Sequence, residues 1–121
     1  MKSHNIIIAG NTSFIGNKLY NFLKFKYKKN KIFGFGSKQI NLSKKNSIRK
    51  LRKKINNNTT FFFLSVIAKQ SDGSIEDLNT NMKMIENFIR AINIGKPKKI
   101  IFFSSQAIYG EDTNNNSITE K

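Results

Sequence analysis

Short unbroken apolar runs alternate along this chain with longer segments whose apolar residues recur at helical spacing, and that alternation restricts the fold more than any other feature. Ile6-Ile7-Ile8-Ala9 ends at Gly10, as a strand covered on both faces should. Ile15, Leu19, Phe22, Leu23 and Tyr27 then fall at helical spacing, with Phe25 off the stripe. Ile32-Phe33 leads into Gly34-Phe35-Gly36, a second short strand with a glycine exit. Ile48, Leu51 and Ile55 mark a lysine-rich second helix, and residues 60–67 read as a third, largely aromatic and apolar strand. Leu78, Met82, Ile85, Phe88, Ile89 and Ile92 form the cleanest helical stripe, which Gly95 and Pro97 bring to a stop. Ile100-Ile101-Phe102-Phe103 is a fourth buried strand, running into Ser104-Ser105. An unbroken β-α-β-α-β-α-β order implies right-handed crossovers, and so an α/β fold: a doubly wound parallel sheet with helices on both faces. The 121 residues suffice for one domain and one core. We expect that domain over residues 1–110, with 111–121 as a polar tail.

Composition excludes several chemistries. Cysteine is absent and His4 is the single histidine, which rules out disulfides, thiolate metal sites and multi-histidine zinc sites. No apolar run approaches the roughly 20 residues that cross a bilayer, and Ile6-Ile7-Ile8 is too short for the core of a signal peptide. A cytoplasmic protein is expected. The net charge of +15 invites a nucleic-acid partner, but arginine occurs only at 49, 52 and 90. Arginine is the side chain suited to bidentate phosphate and guanine contacts, whereas lysine commonly fills solvated surface. Tracts such as Asn56-Asn57-Asn58 and Asn114-Asn115-Asn116 accompany the lysines, a mixture that A/T-rich codons also explain. Nucleic acid is therefore not the expected partner.

In an open parallel sheet, ligands bind beyond the carboxyl ends of the strands. The first such end reads Gly10-Asn11-Thr12-Ser13-Phe14-Ile15-Gly16. Small residues there let backbone N–H groups approach a diphosphate, and the following helix offers its positive end. This segment resembles the Gly-x-x-Gly-Phe-Ile-Gly loop of the extended short-chain dehydrogenase/reductase family, the NAD(P)-dependent nucleotide-sugar epimerases, dehydratases and reductases. Ser13 stands where the family has its middle glycine; its hydroxyl offers a donor to a phosphate oxygen. Four more stretches match in the same order. Leu64-Ser65-Val66 resembles a strand end lining the cofactor, and Asn81 a helix asparagine near the strand ends. Phe103-Ser104-Ser105-Gln106-Ala107-Ile108-Tyr109-Gly110 resembles Ser-Ser-x-x-Val-Tyr-Gly, and Ile118-Thr119-Glu120 the loop before the catalytic helix.

The resemblance implies a Rossmann-like sheet, cut after its fourth main strand, that binds a dinucleotide. NAD-preferring sites of this kind carry an acid at the end of the second strand. Gly36 stands there instead, followed by Ser37 and Lys38, a hydroxyl and a cation beside the expected place of a 2′-phosphate. NADP is expected over NAD. Asn41-Leu42 is similar to the family's Asp-Leu step at the adenine edge. Ser104 is expected to touch the cofactor, and Ser105 to be the serine that holds the substrate oxygen. The family's Tyr-x-x-x-Lys pair would follow beyond Lys121; Tyr20…Lys24 and Tyr27…Lys31 lie in or just after the first helix and are not that pair. The interval before Asn41-Leu42 resembles the reductase and epimerase–reductase branch more than the dehydratases. The expected function is thus the N-terminal part of an NAD(P)-dependent enzyme of nucleotide-sugar metabolism, inactive alone. The expected partners are the dinucleotide, a nucleotide-sugar substrate of the longer parent and a second copy in a homodimer, with no metal and no membrane. The alternative is a non-catalytic dinucleotide-sensing or basic nucleic-acid-binding module on the same fold.

Overall fold

The computed structural model describes residues 4–65 and 75–103. They form β1 (Asn5–Ala9), α1 (Phe14–Lys26), β2 (Lys31–Phe35), α2 (Asn46–Arg52), β3 (Thr59–Phe63), α3 (Ile75–Gly95) and β4 (Lys99–Phe102). All strand pairs are parallel and the order is β2-β1-β3-β4. This is the doubly wound α/β sheet that the alternation implies. The expected domain limit at residue 110, the polar tail, Val66, Ser104 and Ser105 lie outside the described residues.

The central position of β1 explains its composition. With β2 on one side and β3 on the other, Ile6, Ile7, Ile8 and Ala9 are all buried, none more than 5% exposed. Side chains alternate across the sheet. Ile7 and Ala9 join Phe35, Phe61 and Phe63 under α2 and α3, while Ile6 and Ile8 pack with Leu23, Leu19 and Tyr20 of α1. On the α3 side, the Phe88 ring lies 5.0 Å from Phe61 and 4.4 Å from Phe63, a tilted aromatic cluster at the centre of the larger core.

The helices form where their periodicity places them but turn different faces inward. On α1 the covered residues are Gly16, Leu19, Tyr20 and Leu23, while Ile15 and Phe22 are more than half exposed. On α3 the inward face carries Asn87, Phe88 and Ala91 with Met84, Ile85 and Ile92 beside them; Leu78 and Met82 of the expected stripe face outward. Both helices have more apolar residues than one face can hold, so contact with the sheet decides which are covered. α2 is only seven residues long, and Ile55 is buried beyond its end. Gly95 is the last residue of α3, not the left-handed one: Lys96 takes that conformation (φ 50°) and donates its N–H to Ile92 O at 2.8 Å. A Cβ on Gly95 would stand 2.7 Å from Ile55 Cβ, so close packing is what requires the glycine. β3 stops at Phe63, short of the expected residue 67.

β4 forms where expected but is not buried: it is an edge strand among the described residues, and Ile100, Phe102 and Phe103 are 41–52% exposed. An apolar edge with free backbone groups recruits other chains. The purified chain should self-associate in sedimentation, and Ile100→Lys should shift it towards monomer. Phe61→Ala should remove about 3–5 kcal/mol of stability in urea denaturation, as expected for a fully buried aromatic.

Candidate functional site

β1 connects to β2 on one side and the chain then crosses back to β3 on the other, so connections diverge from the carboxyl ends of β1 and β3. Such a switch point leaves a crevice between the loops. Here a crevice of about 400 Å³ opens there, with Gly10, Thr12 and Ser13 on one wall and Leu64 and Ser65 on the next. Gly36, Ser37, Ile40, Asn41, Leu42 and Ser43 form a third wall, closed by Thr80 and Met84 of α3.

The Gly10 turn is held from both neighbouring strands. Gly10 N–H donates to Phe35 O at 2.8 Å, and Leu64 N–H donates to Ala9 O at 2.9 Å. Gly10 has φ +93°, with the Leu64 carbonyl carbon 3.0 Å from where a Cβ would stand. That combination of left-handed backbone and close approach suits glycine alone. Gly16 is buried directly beneath it: a Cβ there would lie 2.0 Å from Gly10 O. The first turn of α1 therefore sits hard against the end of β1.

Ser13 is the N-cap of α1. Its Oγ accepts from Gly16 N at 3.1 Å and donates to Gly10 O at 2.7 Å. The hydroxyl proton that sequence reading offered to a phosphate is thus engaged by the turn itself. Ser13 N–H bonds Gly10 O at 3.2 Å and Gly16 N–H bonds the cap, which leaves Phe14 and Ile15 as the first-turn amides without intrahelical acceptors. They mark the positive end of α1. No Asp or Glu precedes Asp72, and no charged side chain lines the crevice among the described residues. Its polar lining is hydroxyl, amide and backbone. Such a site can hold a phosphate-bearing ligand by hydrogen bonds but offers no general acid or base from these residues.

Of the residues singled out in the sequence, Gly10, Thr12, Ser13, Ser37, Asn41, Leu42 and Ser65 line the crevice. Asn41 Oδ1 accepts from Ser43 N–H at 3.0 Å and Ser43 Oγ at 2.7 Å, so the acceptor expected at an adenine edge is occupied by a local turn. Asn11, Phe14, Ile15 and Gly16 belong to the loop without lining the cavity, and Phe14 is 80% exposed. Asn11 lies over Gly34, where a Cβ would meet its Nδ2 at 2.6 Å. Lys38 is exposed next to the lining residue Ser37, and Asn81 is half-buried on α3 next to Thr80. Sequence reading missed Ile40, Ser43, Thr80 and Met84. The four-residue spacing of Thr80 and Met84 puts them on one helix face, but nothing local says that this face reaches the strand ends.

The family model for the NAD dependent epimerase/dehydratase family matches residues 6–121. The chain belongs to that family. Among solved structures, it is similar to a GDP-6-OMe-4-keto-L-xylo-heptose reductase from C. jejuni (21% identity, TM-score 0.80, covering 98% of this chain and 34% of that one). It is also similar to a GDP-mannoheptose C4 reductase from Campylobacter jejuni with NADP bound (20% identity, TM-score 0.80, 98% and 38%). A third likeness is to the ADP-L-glycero-D-manno-heptose-6-epimerase of Helicobacter pylori (18% identity, TM-score 0.74, 96% and 43%). At these identities the likeness is one of fold. The chain spans between 34% and 43% of the length of these family-like structures. No curated protein matches the sequence. Among the described residues there is no group of side chains suited to a metal ion and no helix long and apolar enough to cross a membrane.

Replacing the cap tests the local construction of the site. Ser13→Ala should cost about 1 kcal/mol in denaturation, whereas Ser13→Gly, which restores the family's usual residue, should cost only a few tenths.

Proposed function

We propose that this chain is the cofactor-binding portion of an NAD(P)-dependent reductase or epimerase of nucleotide sugars, and that NADP is its preferred dinucleotide. The observation that carries the reading is the neutral, hydroxyl-lined crevice at the switch point, floored by the Gly10–Gly16 turn. In this reading the diphosphate lies against the turn, within reach of the Phe14 and Ile15 amides, because the glycines at 10 and 16 let the first turn of α1 seat against the end of β1. The adenosine lies along Ser37, Asn41 and Leu42. Ser65 and, outside the described residues, Val66 and Ser104 continue the cofactor path, with Asn81 behind the strand ends. Bound there, the nicotinamide would supply or accept the hydride. Ser105, also outside the described residues, would hold the substrate oxygen by hydrogen bonding. Residues 1–110 form the binding domain in this proposal, and 111–121 lead towards the helix that supplies the proton-transfer pair in the longer parent.

Two features support NADP. The second strand ends in Gly36 with no acid to read the ribose hydroxyls, and a Cβ there would come within 2.9 Å of the Thr12 side chain, so a larger residue would have to displace it. Ser37 at the mouth and the exposed Lys38 beside it supply a hydroxyl and a cation for a 2′-phosphate. The substrate class rests on the family and on the nucleotide-sugar reductases and epimerases that share the fold.

Calorimetric titration of the chain with NADPH and NADH tests both parts. NADPH should bind more tightly, and Lys38→Glu should weaken NADPH about tenfold, equivalent to ~1.4 kcal/mol, while leaving NADH nearly unchanged. Equal affinities would remove the NADP preference. Failure of both to bind, with salt-dependent binding to random DNA in their place, would support the basic-module alternative.

A further inference from the structure

The crevice wall that reads the adenosine end is not part of a strand or helix. It is the loop after β2, and one residue of α3 hydrogen-bonds to its backbone. Asn87 is only 7% exposed and lies on the apolar inner face of that helix, beside Phe88 and Ala91. A buried amide on such a face is unfavourable unless its hydrogen-bonding groups are satisfied. Asn87 Nδ2 donates to Leu42 O at 2.7 Å and to Lys44 O at 3.3 Å, carbonyls more than forty residues away in sequence. Ser47 Oγ, also buried, reaches the same Leu42 carbonyl at 3.4 Å. Leu42 lies between Asn41 and Ser43, and all three line the crevice.

We infer that Asn87 is a positioning residue for cofactor recognition: by holding the Leu42 and Lys44 carbonyls, it fixes the loop that presents Asn41, Leu42 and Ser43 to the adenosine. This rests on the dinucleotide reading above. An apolar residue of similar size would satisfy the core equally well, so the amide is explained by the loop and not by packing. The loop's Ile40 and Leu42 also pack in the core with Phe88 and Ala91, but its other backbone hydrogen bonds are local turns, such as Lys44 N–H to Asn41 O at 3.0 Å and Ser47 N–H to Lys44 O at 3.1 Å. Because α3 also supplies Thr80 and Met84, the clamp sets the spacing between two walls of the same crevice.

The test compares Asn87→Leu with Phe88→Leu, a neighbouring core change that leaves the loop carbonyls bonded, at matched loss of melting temperature. Adenosine 2′,5′-bisphosphate and NADPH are titrated into each, and amide hydrogen exchange is followed at Lys44 and Ser47. Asn87→Leu should weaken both ligands about tenfold, in line with losing hydrogen bonds that hold a binding surface, while Phe88→Leu changes them less than twofold. Wild-type affinity in Asn87→Leu, or an equal loss in Phe88→Leu, would overturn the assignment. If the unaltered chain binds neither ligand, the dinucleotide reading is what fails, and exchange then judges the clamp separately. Faster exchange at Lys44 and Ser47 in Asn87→Leu than in Phe88→Leu supports it; equal exchange overturns it.

Discussion

The contact on which the rest of this structure depends is the seating of Gly16 beneath the Gly10 carbonyl. A methyl group at position 16 would overlap that oxygen, so the first turn of α1 reaches the end of β1 only because no side chain intervenes. Several consequences follow from this one approach. Ser13 falls where it can cap the helix and brace Gly10 at once. The unpaired amides of α1 are brought to the mouth of the sheet instead of its flank. Gly10, forced into a left-handed conformation, carries the chain across the end of β1 close to the Leu64 backbone, and the crevice opens beside it. Packing and function are not separable at this point, since the geometry that docks the helix is the one that exposes its positive end.

How far the sequence reveals this depends on what kind of interaction decides each feature. The strands are legible as short apolar runs, most clearly Ile6–Ala9, since a strand buried on both faces must be unbroken and apolar; β4 carries such a run although Ile100 and Phe102 are exposed. The glycine turn is legible because its conformational requirement is local. Helix faces are different. α1 carries Ile15 and Phe22 as well as Leu19 and Leu23, and α3 carries Leu78 and Met82 as well as Phe88 and Ala91, so periodicity alone admits more than one inward face. The sheet makes that choice, through contacts distant in sequence. Asn87 illustrates the same limit from the polar side. An asparagine in a helix reads as surface, and its buried role appears only once the loop it bonds is in place. Thr80 and Met84 were hidden for the same reason, whereas Gly10, Ser37 and Asn41 were accessible because strand ends are marked by glycine and small polar residues.

The site also uses its polar side chains differently from their apparent chemistry. Ser13 and Asn41 are natural candidates for direct ligand contact, yet each spends its best hydrogen-bonding group on its own backbone neighbourhood. This is a general tendency of serine and asparagine near helix starts and turns. Their contribution is to hold a shape. The groups left over are the Phe14 and Ile15 amides at the start of α1 and, within the crevice, the Ser37 hydroxyl and the apolar surfaces of Ile40 and Leu42. A crevice built this way offers a shape and free backbone donors more than distinctive side chains. That explains how the middle glycine of the loop can be replaced by serine without closing the site.

The large positive charge fits the same economy. Lysines close over half-buried and exposed aromatic rings: Lys54 Nζ lies 4.1 Å from the Phe33 ring centre and Lys24 5.0 Å from Tyr20, both half-buried, and Lys26 5.6 Å from the exposed Phe22. A lysine stem can cover apolar surface while its ammonium stays in water, and a cation over a ring adds about 0.5–1 kcal/mol at exposed sites. On α1, where Phe14, Phe22 and Phe25 all face outward, this covering gives the basic residues a role that needs no anionic partner. Arg49, Arg52 and Arg90 all lie on α2 and α3 and none lines the crevice. Part of the charge that first suggests a nucleic-acid surface thus lies over aromatic rings, while the crevice at the switch point is lined by neutral groups. That site has the exposed Lys38 beside it and no acid among the described residues of the three strand ends that surround it.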